Sequence, residues 1–387
     1  MREILLLGAS GSIGSQTIDL LSASPERFSL RGFSVGKRVE NVGRILSLFP
    51  SVNFVCVQRK EDYDRLAQEY PNLHWYWGDE GLLSIIRDCP SDMVVNALVG
   101  FAGLFPSVEA LKRDKILALA NKESLVVGGD IIRDLLSKGH GKLYPIDSEH
   151  VAIAKLLSRI PREDIAKIWI TASGGSFRDF TREELRHVTP ADALKHPTWS
   201  MGAKITIDSA TMMNKGFEVI EAKVLFDFPL EQTGILMHQE SHVHSVVEMK
   251  DGTFVGDVSV PDMHGPIAYA LWEGNLDFSL MHVARLEDFG PYHFGVYDPK
   301  RYHAPEIALR AFAMGGTSRA VLNGANEAAV YAFLEGRIPF LSIDDLVEKA
   351  LEALPSIPNP SLEEIAKADK EARAFIEEQA KGVHPCR

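Results

Sequence analysis

The order of apolar segments in the first 150 residues restricts the fold of this chain more than any other feature. Short apolar runs read as strands at Ile4–Leu7, Ser29–Val35, Asn53–Gln58, Met93–Ala97, Ile116–Ala120 and Leu143–Ile146. Longer periodic stretches separate them, beginning with a helix over Ile13–Ser22. Short apolar strands alternating with helices predict a parallel, doubly wound α/β sheet, Rossmann-like, over residues 1–147. In such a sheet ligands gather beyond the carboxyl ends of the strands.

The first strand-to-helix turn reads Gly8-Ala9-Ser10-Gly11-Ser12-Ile13-Gly14, a G-x-x-G-x-x-G variant of the dinucleotide fingerprint. Its glycines let the backbone turn tightly and approach a pyrophosphate, which then meets the free N–H groups of the helix N-terminus. The second strand ends in Gly36-Lys37-Arg38. An NAD site usually carries an acid here for the ribose hydroxyls. Two cations suit the extra 2′-phosphate of NADP instead.

At about 150 residues per domain, 387 residues correspond to roughly 2.6 domains. From 148 to 290 the texture changes to α+β. Lys167–Thr171, Ile235–Met237, Val243–Met249 and Thr253–Val260 read as strands with fewer helices between them. Within this stretch, 180–216 is rich in charge, Pro, Trp and Met without clean periodicity, the mark of a functional or mobile segment. From 300 to 387 the pattern is helical. Pro305–Met314 and Ser318–Glu335 come first, and then helices opened by the capping-box spacings Ser342-x-x-Asp345 and Ser361-x-x-Glu364. Four helices with short connections predict a small helical bundle.

Charge and cysteine content narrow the function. There are 41 basic and 53 acidic residues, a net charge of −12. That balance argues against nucleic acid or an anionic membrane as partner. Any anionic ligand must be held by a local cluster of donors. Cys56, Cys89 and Cys386 form neither a disulfide framework nor a C-x-x-C pair, which fits a reducing cytoplasm. The four-residue apolar run at Ile4–Leu7 is too short for a signal-peptide core, and no run approaches a bilayer span.

Two polar clusters carry candidate chemistry. Asp147-Ser148-Glu149-His150 follows a strand at the edge where ligands gather. In extended chain Asp147 and Glu149 point the same way and repel unless a cation lies between them. Their hard oxygens suit Mg²⁺ or Mn²⁺ rather than zinc. The second cluster is Asp208-Ser209-Ala210-Thr211-Met212-Met213-Asn214-Lys215-Gly216-Phe217-Glu218. If Asn214 to Glu218 is helical, Asn214, Lys215 and Glu218 share a face. Ser209, Asn214 and Lys215 offer a hydroxyl, an amide and an ammonium, a set that suits a phosphate, and Glu218 could complete a three-carboxylate metal site. His238, His242 and His244 mimic a zinc pattern, but their apolar surroundings favour packed core or interface histidines.

Taken in order, these segments resemble the 1-deoxy-D-xylulose 5-phosphate reductoisomerase family. The matching pieces are Gly8–Gly14, Ala120-Asn121-Lys122-Glu123-Ser124, Asp147–His150, Ser173-Gly174-Gly175, His196-Pro197-x-Trp199-Ser200-Met201-Gly202, Asp208–Glu218 and Pro261-Asp262-Met263. The resemblance runs over essentially the whole chain. It implies conversion of 1-deoxy-D-xylulose 5-phosphate to 2-C-methyl-D-erythritol 4-phosphate with NADPH and Mg²⁺ or Mn²⁺, by a cytoplasmic homodimer. It further implies an NADPH domain over 1–147, a catalytic and dimerisation domain over 148–290 with a lid at about 180–216, and a helical domain over 300–387.

Carried over by position, the resemblance makes Asp147, Glu149 and Glu218 metal ligands and Lys122, Glu149 and His196 catalytic. Lys122, Ser148, Glu149, Ser173, His196, Ser209, Asn214, Lys215 and Glu218 would contact the substrate. Ser10, Gly11, Ser12, Ile13, Gly36, Lys37, Arg38, Asn121, Glu123 and Gly202 would contact NADPH, and Trp199 and Met201 would lie on the lid. Residues alone leave two alternatives open: another NADP-dependent oxidoreductase of phosphorylated sugars, which would need no three-carboxylate site, and an NADP-sensing binding protein.

Overall fold

The computed structural model describes residues 1–275, 284, 285, 287 and 289–383. Cys386 lies outside them. Its contacts group the chain into two compact units.

The first unit comprises Met1–Ser124, Asp130–Val151 and Asp262–Val283. Its seven strands are β1 (Arg2–Leu7), β2 (Phe28–Val35), β3 (Phe54–Val57), β4 (His74–Trp77), β5 (Met93–Asn96), β6 (Ile116–Leu119) and β7 (Lys142–Pro145). They pair in the order β4-β3-β2-β1-β5-β6-β7, all parallel. Ile4, Leu5, Leu6 and Leu7 are fully buried, as a central strand covered on both faces requires. The chain leaves β1 toward β2 on one side and continues with β5 on the other, so the reversal falls beside Gly8, where this class of sheet binds its ligand.

Two elements of this unit depart from the sequence pattern. The edge strand β4 is His74-Trp75-Tyr76-Trp77, aromatic and half-exposed rather than aliphatic and buried, so it carries no apolar run. His74 stacks on Phe54 of β3 at 4.9 Å. The second is helix His264–Leu271, which lies within the predicted 148–290 stretch yet buries Ile267, Ala268, Ala270 and Leu271 in the core of the first unit. Trp272 follows and meets Phe28 edge-on at 4.7 Å.

The second unit comprises Leu125–Gly129, Ala152–Pro261 and Ala284–Arg387. Its sheet contains β8 (Ile165–Ala172), β9 (Thr233–Met237), β10 (Val243–Met249), β11 (Phe254–Val258) and β12 (Gly295–Val296), in the order β11-β10-β8-β9-β12. β8 and β9 are parallel and the other pairings antiparallel. The helices Ala304–Met314, Ser318–Leu334, Ser342–Ala353 and Leu362–Ala380 belong to the same unit.

The capping box at Ser361 is present, with Glu364 reaching back. The one expected at Ser342 is not. Ser342 N–H bonds to Pro339 O and Ile343 N–H to Phe340 O, so the chain is already turning when it reaches Ser342, which becomes the first helical residue after Leu341.

The stretch 180–216 contains a full helix, Ala203–Thr211. Its periodicity is hidden in the sequence because two of its buried positions are charged, Lys204 and Asp208.

Candidate functional site

In the first unit the glycine turn is built for close backbone approach. Gly8 has φ +83°, and a Cβ there would lie 2.5 Å from Ala97 O. A Cβ on Gly14 would lie 2.2 Å from Gly8 O. Gly11 is the N-cap of helix Ser12–Ala23 and contributes no side chain, so the helix N-terminus presents main-chain N–H groups. Beside it, Lys37 and Arg38 are exposed just past the end of β2, with open space at Gly36. The Arg38 guanidinium donates to Ser10 O, which places the cation at the mouth of the turn. A dinucleotide fits these residues: its pyrophosphate would meet the helix N-terminus and a 2′-phosphate would meet Lys37 and Arg38.

Asn121, for which the resemblance implies a cofactor contact, has its side chain bonded within the protein. It caps helix Lys122–Ser137 by accepting Ser124 N–H at 3.0 Å, and its amide donates to Leu98 O at 3.0 Å and Gly100 O at 2.9 Å. A further bond to Glu123 Oε2, at 3.2 Å, leaves the side chain wholly engaged with protein. Its effect is to tie the turn after β6 to the loop after β5.

The next residue, Lys122, opens that helix and is buried. Its Nζ lies 2.5 Å from Asp147 Oδ2, at the carboxyl end of β7. Asp147 Oδ1 accepts Glu149 N–H at 3.2 Å and faces His150 Nδ1 at 3.0 Å, and Ser148 Oγ donates to Glu149 Oε2 at 2.5 Å. Lys122, Asp147, Ser148 and Glu149 are thus brought together at the carboxyl edge of the parallel sheet. The Asp147 and Glu149 carboxylates and the Ser148 hydroxyl form an oxygen donor set of the kind a small divalent ion takes, and the Lys122 ammonium balances their charge.

In the second unit, Ser173 follows β8 and leads into Gly174 and Gly175, with φ of +84° and +72°. A Cβ on Gly175 would lie 2.6 Å from the Ala210 Cα and from Ser209 O, so only glycine lets this loop rest on the backbone of helix Ala203–Thr211. His196 bridges the two segments. Its Nε2 is 3.3 Å from Ser173 Oγ and 3.2 Å from Ser209 Oγ. Its Nδ1 accepts Thr198 N–H at 3.2 Å and Trp199 N–H at 2.9 Å.

Those two backbone donors fix the tautomer: Nδ1 is the acceptor and Nε2 carries the proton. Burial, with the positive charges of Arg178 and Lys215 nearby, pushes the imidazole down to about 4. His196 is therefore a neutral donor at pH 7, suited to holding an anion rather than to exchanging protons. Arg178 escaped the sequence reading because nothing in a loop of mixed charge singles it out.

After Met212, in the left-handed conformation at φ 67°, helix Met213–Phe226 presents Asn214, Lys215 and Glu218 on one face. Asn214 Nδ2 is 2.5 Å from Glu218 Oε1 and Lys215 Nζ is 2.6 Å from Oε2. Serine hydroxyls, an imidazole N–H, an amide and an ammonium make a phosphate-binding set. Of the remaining residues, Asp147 and Glu149 belong to the first unit and Glu218 to the second, while Gly202 belongs to the second unit and the other cofactor residues to the first.

Of the three histidines, His238 is held within the protein. His238 Nε2 accepts His242 N–H at 3.2 Å and Val243 N–H at 3.1 Å, and its Nδ1 donates to His293 O at 3.1 Å. Both ring nitrogens are spent within the protein.

Comparison with known proteins decides the family. The model for 1-deoxy-D-xylulose 5-phosphate reductoisomerase matches residues 4–129, and models of its C-terminal domains match 143–226 and 258–375. A reductoisomerase of Bacillus thuringiensis is 46% identical over 380 residues, covering 98% of this chain and all of the relative.

This chain belongs to the 1-deoxy-D-xylulose 5-phosphate reductoisomerase family. A reductoisomerase of Geobacillus is 45% identical over 97% of this chain and 99% of its own. The solved reductoisomerase of Zymomonas mobilis, bound to NADPH, superposes with a TM-score of 0.89 at 34% identity, over 99% of this chain and all of that one. Another solved reductoisomerase, in complex with NADPH, fosmidomycin and magnesium, gives 0.91 at 34% identity over 98% of each chain.

Proposed function

We propose that this reductoisomerase converts 1-deoxy-D-xylulose 5-phosphate to 2-C-methyl-D-erythritol 4-phosphate in the non-mevalonate isoprenoid pathway, oxidising NADPH, with Asp147, Glu149 and Glu218 as ligands of Mg²⁺ or Mn²⁺. The observation that carries this reading is the pairing of a phosphate-binding set (Ser173, His196, Ser209, Asn214 and Lys215) with a glycine turn flanked by Lys37 and Arg38, in a chain that matches the family along its length.

The reaction rearranges the carbon skeleton and then reduces the resulting carbonyl with hydride from NADPH. When bound, the divalent ion polarises the substrate's carbonyl and templates its neighbouring hydroxyl. The Lys122 ammonium stabilises negative charge on the same oxygens and holds a proton at Nζ. Asp147 orients that ammonium, and Ser148 Oγ steadies Glu149. His196 donates from Nε2 to the phosphate, alongside the Ser173 and Ser209 hydroxyls, while Asn214 and Lys215 add a second side of donors. The phosphate does not react. Its binding energy favours closure of the 180–216 segment, with Trp199 and Met201, over the reacting carbons, which excludes water.

The proposed assembly is a homodimer. β11 is an edge strand whose residues Phe254, Val255 and Val258 are 65%, 40% and 42% exposed. An apolar edge of this kind invites pairing with a second copy. A cytoplasmic setting is proposed from the buried free thiols Cys56 and Cys89. Among the described residues no helix is long and apolar enough to cross a membrane.

Glu218→Gln tests the ligand set. It keeps the shape of the side chain and removes the charge. The expected result is a fall in kcat of at least about 100-fold with NADPH affinity unchanged, on the scale of losing one essential charged group, about 2.7 kcal/mol. A kcat within about threefold of wild type would remove Glu218 from the set.

A further inference from the structure

Helix Ala203–Thr211 carries Ser209 outward and a charge cluster inward. Lys204 Nζ lies 2.7 Å from Asp208 Oδ2, one turn along the same helix, with the two side chains only 4% and 3% exposed. The ammonium also sits 5.4 Å from the centre of the Phe217 ring. The third member comes from helix Ser318–Leu334. Asn326 is fully buried, and its Nδ2 donates to Asp208 Oδ1 at 2.9 Å. The other end of that amide, Oδ1, has no hydrogen-bond partner among the described residues.

Taking an ion pair out of water is often no better than neutral for stability, and a buried amide oxygen without a partner is a further loss. What the cluster supplies is direction. A hydrogen bond from Asn326 to Asp208 sets the rotation of helix Ala203–Thr211 about its own axis, which hydrophobic packing alone does not. Ser209 is the next residue, about 100° further round the helix, and its hydroxyl is the one that meets His196. Any rotation is passed on in two ways. Gly175 rests directly on the backbone at Ser209 and Ala210. A single left-handed residue, Met212, joins this helix to the one bearing Asn214 and Lys215.

We infer that Lys204, Asp208 and Asn326 are positioning residues that hold the phosphate-binding donors in register, so that a C-terminal helix takes part in substrate affinity without touching the substrate. The inference rests on the reading of Ser173, His196 and Ser209 as the phosphate cradle.

The test is the triple variant Lys204→Met, Asp208→Leu, Asn326→Leu, assayed beside wild type with 1-deoxy-D-xylulose 5-phosphate and NADPH. The variant is expected to fold, with a melting temperature equal to or above that of wild type. Its KM for the sugar phosphate is expected to rise at least tenfold, with a smaller fall in kcat. A purely structural role would leave the KM alone. A folded variant with unchanged KM overturns the inference. If the triple variant does not fold, Asp208→Asn decides: the same rise in KM supports the inference, and a folded protein with wild-type KM overturns it. Wild type that turns over no sugar phosphate would instead refute the functional reading itself, a result distinguishable from failure of the variant alone.

Discussion

His196 should resist protonation, and this can be measured as a pH dependence of stability. The ring is pushed down to about 4 from an ordinary value of 6.5 by burial and by the charges of Arg178 and Lys215. In the unfolded chain it titrates normally. The sign follows directly. Above about pH 7 the ring is neutral in both states and nothing is lost. As pH falls through 6.5 the unfolded state takes up a proton that the folded state refuses, so folding weakens until the pH reaches about 4. Between pH 7.5 and 5.5 linkage gives a loss of about 1.3 kcal/mol. Solvent reaching the half-buried ring reduces this to below about 1 kcal/mol.

The assay is urea unfolding of wild type and His196→Gln at the two pH values. The difference between them removes the contributions of other titrating groups. Wild type should lose about 0.5–1 kcal/mol more than the variant. Glutamine can serve either the Thr198 and Trp199 N–H groups or the phosphate, but not both. Its KM for the sugar phosphate should therefore rise about tenfold, the lower end of the loss of a bond to a charged group. Parallel pH curves, or an imidazole titrating at 6.5 or above in the folded protein by NMR, would refute the neutral-donor assignment.

Arg38→Ala should weaken NADPH binding about 10- to 100-fold while leaving NADH nearly unchanged, since a charge-assisted contact to phosphate contributes about 1.5–3 kcal/mol; equal losses by fluorescence titration would deny Arg38 a selective role. Val255→Lys on the exposed edge of β11 should shift the sedimentation mass from two chains toward one, and an unchanged dimer would place the interface elsewhere.

The alternation of strands and helices was legible because β1, β2, β3, β5 and β6 are aliphatic and buried, and burial on both faces writes itself as an apolar run. β4 was not, because an edge strand can be built from half-exposed aromatics. Residues 264–271 were placed with the 148–290 stretch by their position in the chain, whereas they form a helix whose apolar face docks with the first sheet, and a helix of eight residues carries no mark of its destination. Asp147, Glu149, Ser209 and Lys215 stood out because charge and hydroxyl density near a strand end is visible in one dimension. The state of His196 was invisible, since it depends on two backbone N–H groups and on Arg178. For Asn121 the resemblance implies a cofactor contact, and only the fold shows that its side chain also holds the loop after β5.

The most direct measurement is the rate of NADPH oxidation by the purified protein with 1-deoxy-D-xylulose 5-phosphate, after removal of divalent ions with EDTA and again after adding Mg²⁺, with the product identified by mass spectrometry. The account predicts no turnover without the ion, restored turnover with it, and one 2-C-methyl-D-erythritol 4-phosphate formed per NADPH consumed. Full activity in EDTA, or oxidation of NADPH without that product, would contradict it.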